Sequence, residues 1–365
     1  MRLGYGLLSA LAISALVAST GFVAPALGDP RNVEELRSDL AVVAGRRLEQ
    51  GVDTRASING LAQSCLLAVA LAPSFGEPAR KKAVAIAHAI IDRADENGDG
   101  VVGWGVNRDA DGASCAGPGT RKGLTWGRTT CNPVGTEYTY QTGLAVTCLA
   151  RTFLVTGDTR SLEFAKRAAD QSWRYGSKDT PCPGCFTYWP SYSPNDEGRF
   201  IRNMNVAMGM GMAWLFEATG DARYADRARA IAASEHFEVG HGNRGYLGVA
   251  DPQYRARPAA ESTRTENHLP LVAKGLRDIG TILRSRDTIA DAVRVMDQWI
   301  ECDDRRCREA ECRNWAGDLS RCTTHHTLYS CWLKDESATA LGHCTRAAAR
   351  IGSWTDLALW LVFEP

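Results

Sequence analysis

The sequence has little lysine and no excess of either charge. Lysine supplies only seven of the 42 basic residues, and these balance 42 acidic residues, so the formal net charge is zero. A neutral chain lacks the basic surface that nucleic acid or an anionic membrane attracts. We therefore expect neither of these as a partner of the mature chain. Arginine, the main basic residue, forms bidentate hydrogen bonds with carboxylates and sulfates, which is compatible with an acidic ligand.

A second long apolar run is also missing, because nothing after residue 30 approaches the roughly 20 apolar residues of a membrane helix. The first run has the order of a secretory signal peptide. Arg2 gives a positive start, an apolar stretch follows, and Ala26-Leu27-Gly28 forms a small-x-small cleavage site. We predict that residues 1–28 are removed and that 29–365 form one secreted or periplasmic domain. An uncleaved membrane anchor is the alternative.

Twelve cysteines behind an export signal predict disulfides rather than metal ligands or reduced thiols. Two pairs each lie within one loop and predict local disulfides, and six tail cysteines, mostly in the loop 303–335, are expected to pair among themselves. By position the groups are Cys65 and Cys148; Cys115 and Cys131; Cys182 and Cys185; and Cys302, Cys307, Cys312, Cys322, Cys331 and Cys344.

Two internal similarities indicate a repeated structural unit. Phe153-Leu-Val-Thr-Gly-Asp-Thr-Arg recurs 63 residues later as Phe216-Glu-Ala-Thr-Gly-Asp-Ala-Arg, and the Gly60–Leu66 segment resembles Gly143–Leu149. Repeats of this size are typical of stacked supersecondary units.

The unit is predicted to be a helical hairpin. Its first helix is apolar nearly all round, which indicates burial, and its second is amphipathic, which indicates a half-exposed position. In the Thr-Gly-Asp joint, glycine permits a left-handed C-cap and Asp158 or Asp221 caps the next helix. The repeats place the first helix at 139–155 and 203–218 and the second at 158–174 and 221–237. Further predicted helices are 33–50, 57–71, 77–94, 268–283, 287–300, 337–350 and 354–363.

Buried helices that alternate with amphipathic ones predict an all-α fold, an α/α toroid of five to six hairpins around a central axis. On this pattern and the Thr-Gly-Asp joints, residues 32–365 resemble the six-hairpin and related toroid families of secreted carbohydrate-active enzymes. These include polysaccharide lyases and glycoside hydrolases. The resemblance implies that an extracellular polysaccharide is the partner of the chain.

Long connections between the hairpins predict where the site lies. They cover 96–138, 175–202, 239–265 and 303–335, and loops of this length are commonly functional. Because the helices alternate in direction, every long loop emerges on the face onto which the inner helices open their N-termini. Polar residues at these helix starts are expected to form a binding site. The alternative for any single residue is a structural role, in which it caps the helix or holds a loop in place. The set is Asn59, Glu137, Tyr138, Tyr140, Arg202, Asn203, Asn205, Glu266 and His268.

Two mechanisms fit this set, and a third alternative is a non-catalytic helical-repeat protein that binds glycan or protein. A glycoside hydrolase would use two carboxylates, Glu137 and Glu266. A lyase acting on a uronic-acid polymer is the preferred prediction. In such a lyase, Arg202, Asn203 or Asn205 would neutralise the substrate carboxylate. His268 or a tyrosine would remove the proton, and Tyr138 or Tyr140 would donate a proton to the leaving oxygen.

Aromatic loop residues and one acidic loop complete the expectations. Trp104, Trp126 and Trp189 are predicted either to stack on sugar rings or to anchor the loops by burial. Asp95-Glu-Asn97-Gly-Asp99-Gly has oxygen donors at positions 1, 3 and 5 and glycine at 6, which resembles an EF-hand calcium loop. The glutamate of position 12 is replaced by valine, so Asp109 or Asp111 would complete the shell. We predict structural calcium at Asp95, Asn97, Asp99 and Asp111, with an Asx-rich turn as the alternative.

Overall fold

The computed structural model describes residues 33–96, 98–105, 137–176, 202–240 and 269–301. Within these ranges the chain is helical, and the isolated bridge between Gly105 and Glu137 is the one β-type pairing. The helices are α1 (Val33–Glu49), α2 (Ile58–Phe75), α3 (Glu77–Ile91), α4 (Thr139–Thr156), α5 (Thr159–Gly176), α6 (Arg202–Thr219), α7 (Ala222–Gly240), α8 (Leu269–Ile282) and α9 (Arg286–Glu301). The predicted signal peptide 1–28 and the predicted hairpin 337–363 lie outside the described residues.

The predicted Thr-Gly-Asp joints are confirmed at both sites. Gly157 has a φ of 76° and its N–H donates to Phe153 O, which is the left-handed C-cap. Asp158 then caps α5, because its Oδ2 accepts from Ser161 N at 3.2 Å. Gly220 repeats the conformation with a φ of 69°. A Cβ is strained at such φ values, so glycine is the residue that lets the chain reverse here.

The helices form two layers, as the alternation of buried and amphipathic segments predicted. The inner layer is α2, α4, α6 and α8, each packed against the next, and the outer layer is α3, α5, α7 and α9, each packed on its own inner partner. Side chains 141–152 of α4 and 204–213 of α6 are buried, whereas α5 and α7 alternate between buried and exposed positions.

Glycines bring the inner helices into close parallel contact. A Cβ on Gly143 of α4 would lie 2.5 Å from backbone atoms of Ala207 and Met208 in α6, and one on Gly211 would lie 2.9 Å from Val146 Cγ1. Because these contacts advance together along both helices, α4 and α6 run in the same direction. Their N-termini therefore lie on one side of the layer, and the Thr-Gly-Asp joints lie on the opposite side.

One disulfide is described, and it joins the inner helices α2 and α4. Cys65 and Cys148 are fully buried and their Cα atoms are 5.8 Å apart. These cysteines are equivalent in the Gly60–Leu66 and Gly143–Leu149 similarity, so the bridge links the same position of adjacent hairpins. The other ten cysteines, including both predicted local pairs, lie outside the described residues.

The expectation that no run after residue 30 approaches a membrane helix is corrected at α2, which among the described helices is long and apolar enough to span a membrane by length and composition. It is 67% buried inside the structure, and the core helix of a folded domain passes the same test.

Candidate functional site

Each inner helix has a side turned away from the outer layer, which we call the lumen face. In α6, a Cβ on Gly209 would lie 2.9 Å from Ile231 Cγ2 of the outer helix α7. Trp214 comes five residues after Gly209, which is roughly 140° around a helix of 3.6 residues per turn. Trp214 therefore belongs to the lumen face.

Helix α8 presents a charged pair on the same face. A Cβ on Gly280 would lie 2.7 Å from Ile289 Cγ1 of its outer partner, and Asp278, two residues earlier, lies on nearly the opposite side of α8. Trp214 Nε1 donates to Asp278 Oδ2 at 3.1 Å. Lys274, one turn before Asp278, donates to its Oδ1.

Arg151 of α4 extends these contacts to a third helix. Its guanidinium carbon lies 4.5 Å from the centroid of the Trp214 ring, which is a cation–π contact. Arg151, Trp214, Asp278 and Lys274 thus form one connected group across α4, α6 and α8, which we call the lumen cluster. The exposed fractions are 5% for Arg151, 8% for Asp278 and 1% for Lys274, whereas Trp214 is only partly buried.

The lumen cluster was missed from the sequence because only the helix starts were considered. A signal was available, since Arg151 and Trp214 are separated by the same 63 residues as the two repeats. Arg151 also interrupts a helix that is otherwise apolar, and a charged residue in a buried helix requires a partner.

Tyr140, a predicted proton donor, lies on the lumen face nearer the start of α4. It precedes Arg151 by eleven residues, or about three turns, so the two share one side of the helix. Burial raises the pKa of Tyr140 well above its usual value, which keeps the hydroxyl protonated. Tyr138 is its neighbour, with ring centroids 6.3 Å apart.

Asn205, which was predicted to line the mouth, lies on the other side of α6. It precedes Gly209 by one turn and therefore lies on the side that faces the outer layer. Its exposed fraction is 0%. Asn59, at the start of α2, is partly buried and accepts a hydrogen bond from Gln63 Nε2 at 3.1 Å.

Glu137, another predicted catalytic residue, lies beside the predicted calcium loop. Its carboxylate and those of Asp95 and Asp99 have ligand atoms within 4.8 Å of one another, and Glu137 is 2% exposed. The loop is folded back on itself, since Gly100 N donates to both carboxylate oxygens of Asp95 at 3.2 and 3.1 Å. The bridge between Gly105 and Glu137 holds the two segments together.

Trp104 is a buried anchor of this loop, the second of the two roles predicted for it. Its exposed fraction is 0%, and its Nε1 donates to Ile90 O at 2.7 Å. Its backbone N–H donates to Thr142 Oγ1 at 3.1 Å, which fixes the loop to the first turn of α4. Full burial favours the anchor role of Trp104 over the sugar-stacking role.

Several predicted site residues fall outside the part of the chain that the structure describes. For Arg202 and Asn203 the backbone is described within α6 but the side chains are not. The remaining residues are Asn97, Asp111, Trp126, Trp189, Glu266 and His268.

No protein-family model matches the chain, and no curated protein matches it significantly. Solved structures do match. The cellobiose 2-epimerase from Spirochaeta thermophila has a TM-score of 0.51 at 14% identity, over 86% of this chain and 84% of that chain. A family 76 glycoside hydrolase from a bovine Bacteroides thetaiotaomicron strain has a TM-score of 0.50 at 12% identity, over 92% and 77%. An unsaturated glucuronyl hydrolase from a Bacillus species has a TM-score of 0.49 at 18% identity, over 76% and 71%.

At these identities the likeness shows the fold alone. The chain has the helical architecture of α/α-toroid proteins, as its hairpin pattern predicted.

Proposed function

We propose that this protein is an extracellular carbohydrate-active enzyme whose substrate enters from the N-terminal side of the inner helices. The observation that carries the proposal is the lumen face. On this face Tyr140, which stays protonated, lies nearer the N-terminal side than the lumen cluster. That cluster includes the two basic residues Arg151 and Lys274. The toroid neighbours named as a glycoside hydrolase and a sugar epimerase support the same class.

We propose β-elimination on a uronic-acid polysaccharide as the reaction. A base, His268 or a tyrosine, removes the proton at C5 of the uronic acid, and the electron pair forms the C4–C5 double bond. The bond from C4 to the glycosidic oxygen breaks, and Tyr140 or Tyr138 protonates that oxygen. Arg202 or Asn203 neutralises the substrate carboxylate, which makes the C5 proton more acidic. Tyr140 carries its proton at neutral pH, as a proton donor must.

Hydrolysis by Glu137 and Glu266 is the second candidate, favoured by the glycoside hydrolase among the toroid neighbours. A hydrolase of this type needs two carboxylates roughly 5–9.5 Å apart across the scissile bond. The position of Glu137 beside Asp95 and Asp99 weighs against it, since that arrangement favours metal binding.

Purified protein incubated with uronic-acid and neutral polysaccharides tests these proposals. Ultraviolet absorbance detects the unsaturated ends that β-elimination leaves, and reducing-end assays detect any cleavage. Cleavage with unsaturated product supports the lyase, and cleavage without it supports the hydrolase. Binding without cleavage of any substrate would favour the non-catalytic glycan-binding alternative and contradict the enzyme proposal.

Calcium is proposed as a structural ion at the Asp95–Gly100 loop. Carboxylate oxygens are the ligands that calcium prefers, and the loop has the donor spacing of the first half of an EF-hand. Glu137 supports this proposal from outside the loop, where it would take the place that Asp109 or Asp111 was expected to fill. In this role calcium would tie the loop to the start of α4, next to Tyr138 and Tyr140.

Export is proposed from the signal-like sequence of residues 1–28. The disulfide between Cys65 and Cys148 supports it, because such bonds persist in oxidising compartments and are rare in the cytosol.

A further inference from the structure

We propose that Trp214 is a stacking platform for a pyranose ring inside the toroid. The proposal rests on the carbohydrate function proposed above and adds a binding position to it. The tryptophans predicted from the sequence to stack on sugars belong to the long loops, whereas Trp214 lies on an inner helix.

The geometry of Trp214 suits a platform. Its indole is held at the edge by the hydrogen bond from Nε1 to Asp278 Oδ2, 3.1 Å, and on one ring face by the guanidinium of Arg151. The ring plane is therefore fixed by groups on both neighbouring inner helices. Trp214 remains partly exposed, unlike the fully buried Trp104. A sugar would cover the part of the ring that remains exposed.

The chemistry around the ring fits a sugar rather than a purely apolar ligand. A pyranose presents C–H groups on its flat faces, which pack on an aromatic ring, and hydroxyl groups around its rim. Asp278 accepts hydrogen bonds and Arg151 donates them, and both contact the indole directly.

The positions of Trp214 and Tyr140 along the axis of the inner helices relate the platform to the proposed proton donor. Both residues lie on the lumen face, and Tyr140 is nearer the N-terminal end of the inner helices. A sugar chain that enters from that end passes Tyr140 before its leading ring reaches Trp214. The platform would hold that ring while the bond near Tyr140 is broken.

Fluorine NMR of the protein labelled with 5-fluorotryptophan tests the platform in the intact fold. The probes are methyl β-D-glucuronide and methyl β-D-glucoside, and the spectrum of Trp214→Phe assigns the resonance of Trp214. We expect this resonance to shift on addition of sugar. Trp173 is the matched control, because an arginine, Arg227, also lies over its ring, 5.2 Å from the centroid. Both of these residues belong to outer helices. The resonance of Trp173 should not move.

Affinity measured by saturation-transfer NMR gives the second readout. Trp214→Leu, which keeps an apolar side chain but no ring, should weaken binding about tenfold, which corresponds to about 1.4 kcal/mol. Trp214→Phe should weaken it less, and circular dichroism must show that both variants remain folded.

The outcomes separate the platform from the wider function. A shift of the Trp214 resonance on binding supports the platform. This holds whether the wild-type protein binds both glycosides or the glucuronide alone. The second pattern also restricts the ligand to acidic sugars. Binding that leaves the Trp214 resonance unmoved and survives in Trp214→Leu overturns the platform and leaves the carbohydrate function standing. If neither glycoside binds and no polysaccharide is cleaved, both proposals fail.

Discussion

Trp214 and Asp278 are 64 residues apart in the sequence and are joined by a hydrogen bond of 3.1 Å across two parallel inner helices. With Arg151 on the indole and Lys274 on the carboxylate, this bond places charge on the side of the inner helices that faces the ring axis. Burying such groups costs free energy unless they are paired. Their presence on a face built from otherwise apolar helices is the main argument for a functional lumen.

Replacing Tyr140 with phenylalanine should reduce turnover by a factor of about 10²–10⁴, because loss of a positioned proton donor has this effect. The melting temperature should change little, since the ring is retained. Tyr224→Phe is the control. Its pKa is also raised, to about 12, but it lies between the outer helices, where its hydroxyl contacts Asp170. Equal activity loss in both variants, measured on the cleaved polysaccharide, would contradict a catalytic role for Tyr140.

Calcium removal should lower the melting temperature if the Asp95 loop binds the ion, because a ligand bound only to the folded state stabilises it. Asp99→Ala and Glu137→Gln should each abolish the sensitivity to chelation measured by calorimetry. Asp92→Ala is the control, since Asp92 lies close by in sequence but pairs with Arg160 at 2.7 Å. If the wild-type protein has the same melting temperature in chelator and in calcium, the calcium proposal is contradicted and the loop is an Asx-rich turn.

Gly143→Ala should destabilise the fold by about 1–3 kcal/mol, because the added methyl meets backbone atoms of α6 that side-chain rotation cannot move away. Gly51→Ala is the matched control, with nothing within 4 Å of the added Cβ, and should change stability by less than about 0.5 kcal/mol. Urea unfolding monitored by circular dichroism measures both. A neutral Gly143→Ala would mean that α4 and α6 are farther apart than described.

Acid should weaken the contribution of Asp158 to stability. Burial raises the pKa of Asp158, but hydrogen bonds from Ser161 and the nearby His88 outweigh it, so the pKa lies below the usual 3.8. A carboxyl of this kind stabilises the fold fully above its unfolded pKa and loses that contribution as the pH falls through its lower folded value. Asp158→Ala should cost about 1 kcal/mol at neutral pH through the lost cap.

The difference between wild type and Asp158→Ala should narrow only below about pH 4. Unfolding curves from pH 3 to 7 measure it, and a difference that is constant across this range would contradict the assignment. Asp158→Asn controls for capping, because asparagine caps helices as well as aspartate but carries no charge.

Removing the disulfide by the double substitution Cys65→Ala and Cys148→Ala should lower the free energy of unfolding by about 2–5 kcal/mol. The bridge spans 83 residues of sequence, so the unfolded chain gains much freedom when it is lost. Because both sulfurs are fully buried, reductant should leave the bond intact in the folded protein and cleave it after denaturant is added. Rapid thiol labelling under native reducing conditions would show that the bond is accessible.

Local sequence determined where the helices are and how each hairpin turns. Apolar periodicity decides which helices are buried, and the Thr156-Gly157-Asp158 joint stops one helix and starts the next through contacts within a few residues. These are short-range effects, so helix starts and ends were predicted to within a few residues, and the equivalence of Cys65 and Cys148 was visible as a repeat.

Only the tertiary structure decided which side chains meet. Glu137 reaches Asp95 and Asp99 because the loop returns to the start of α4. Asn205 and Trp214 belong to the same helix, yet they lie on opposite sides of α6, and the register of Gly143 against Ala207 decides which side faces the lumen. Trp214 meets Asp278 for the same reason. Packing between helices more than sixty residues apart sets these contacts, and no local pattern of residues encodes the register at which two helices meet.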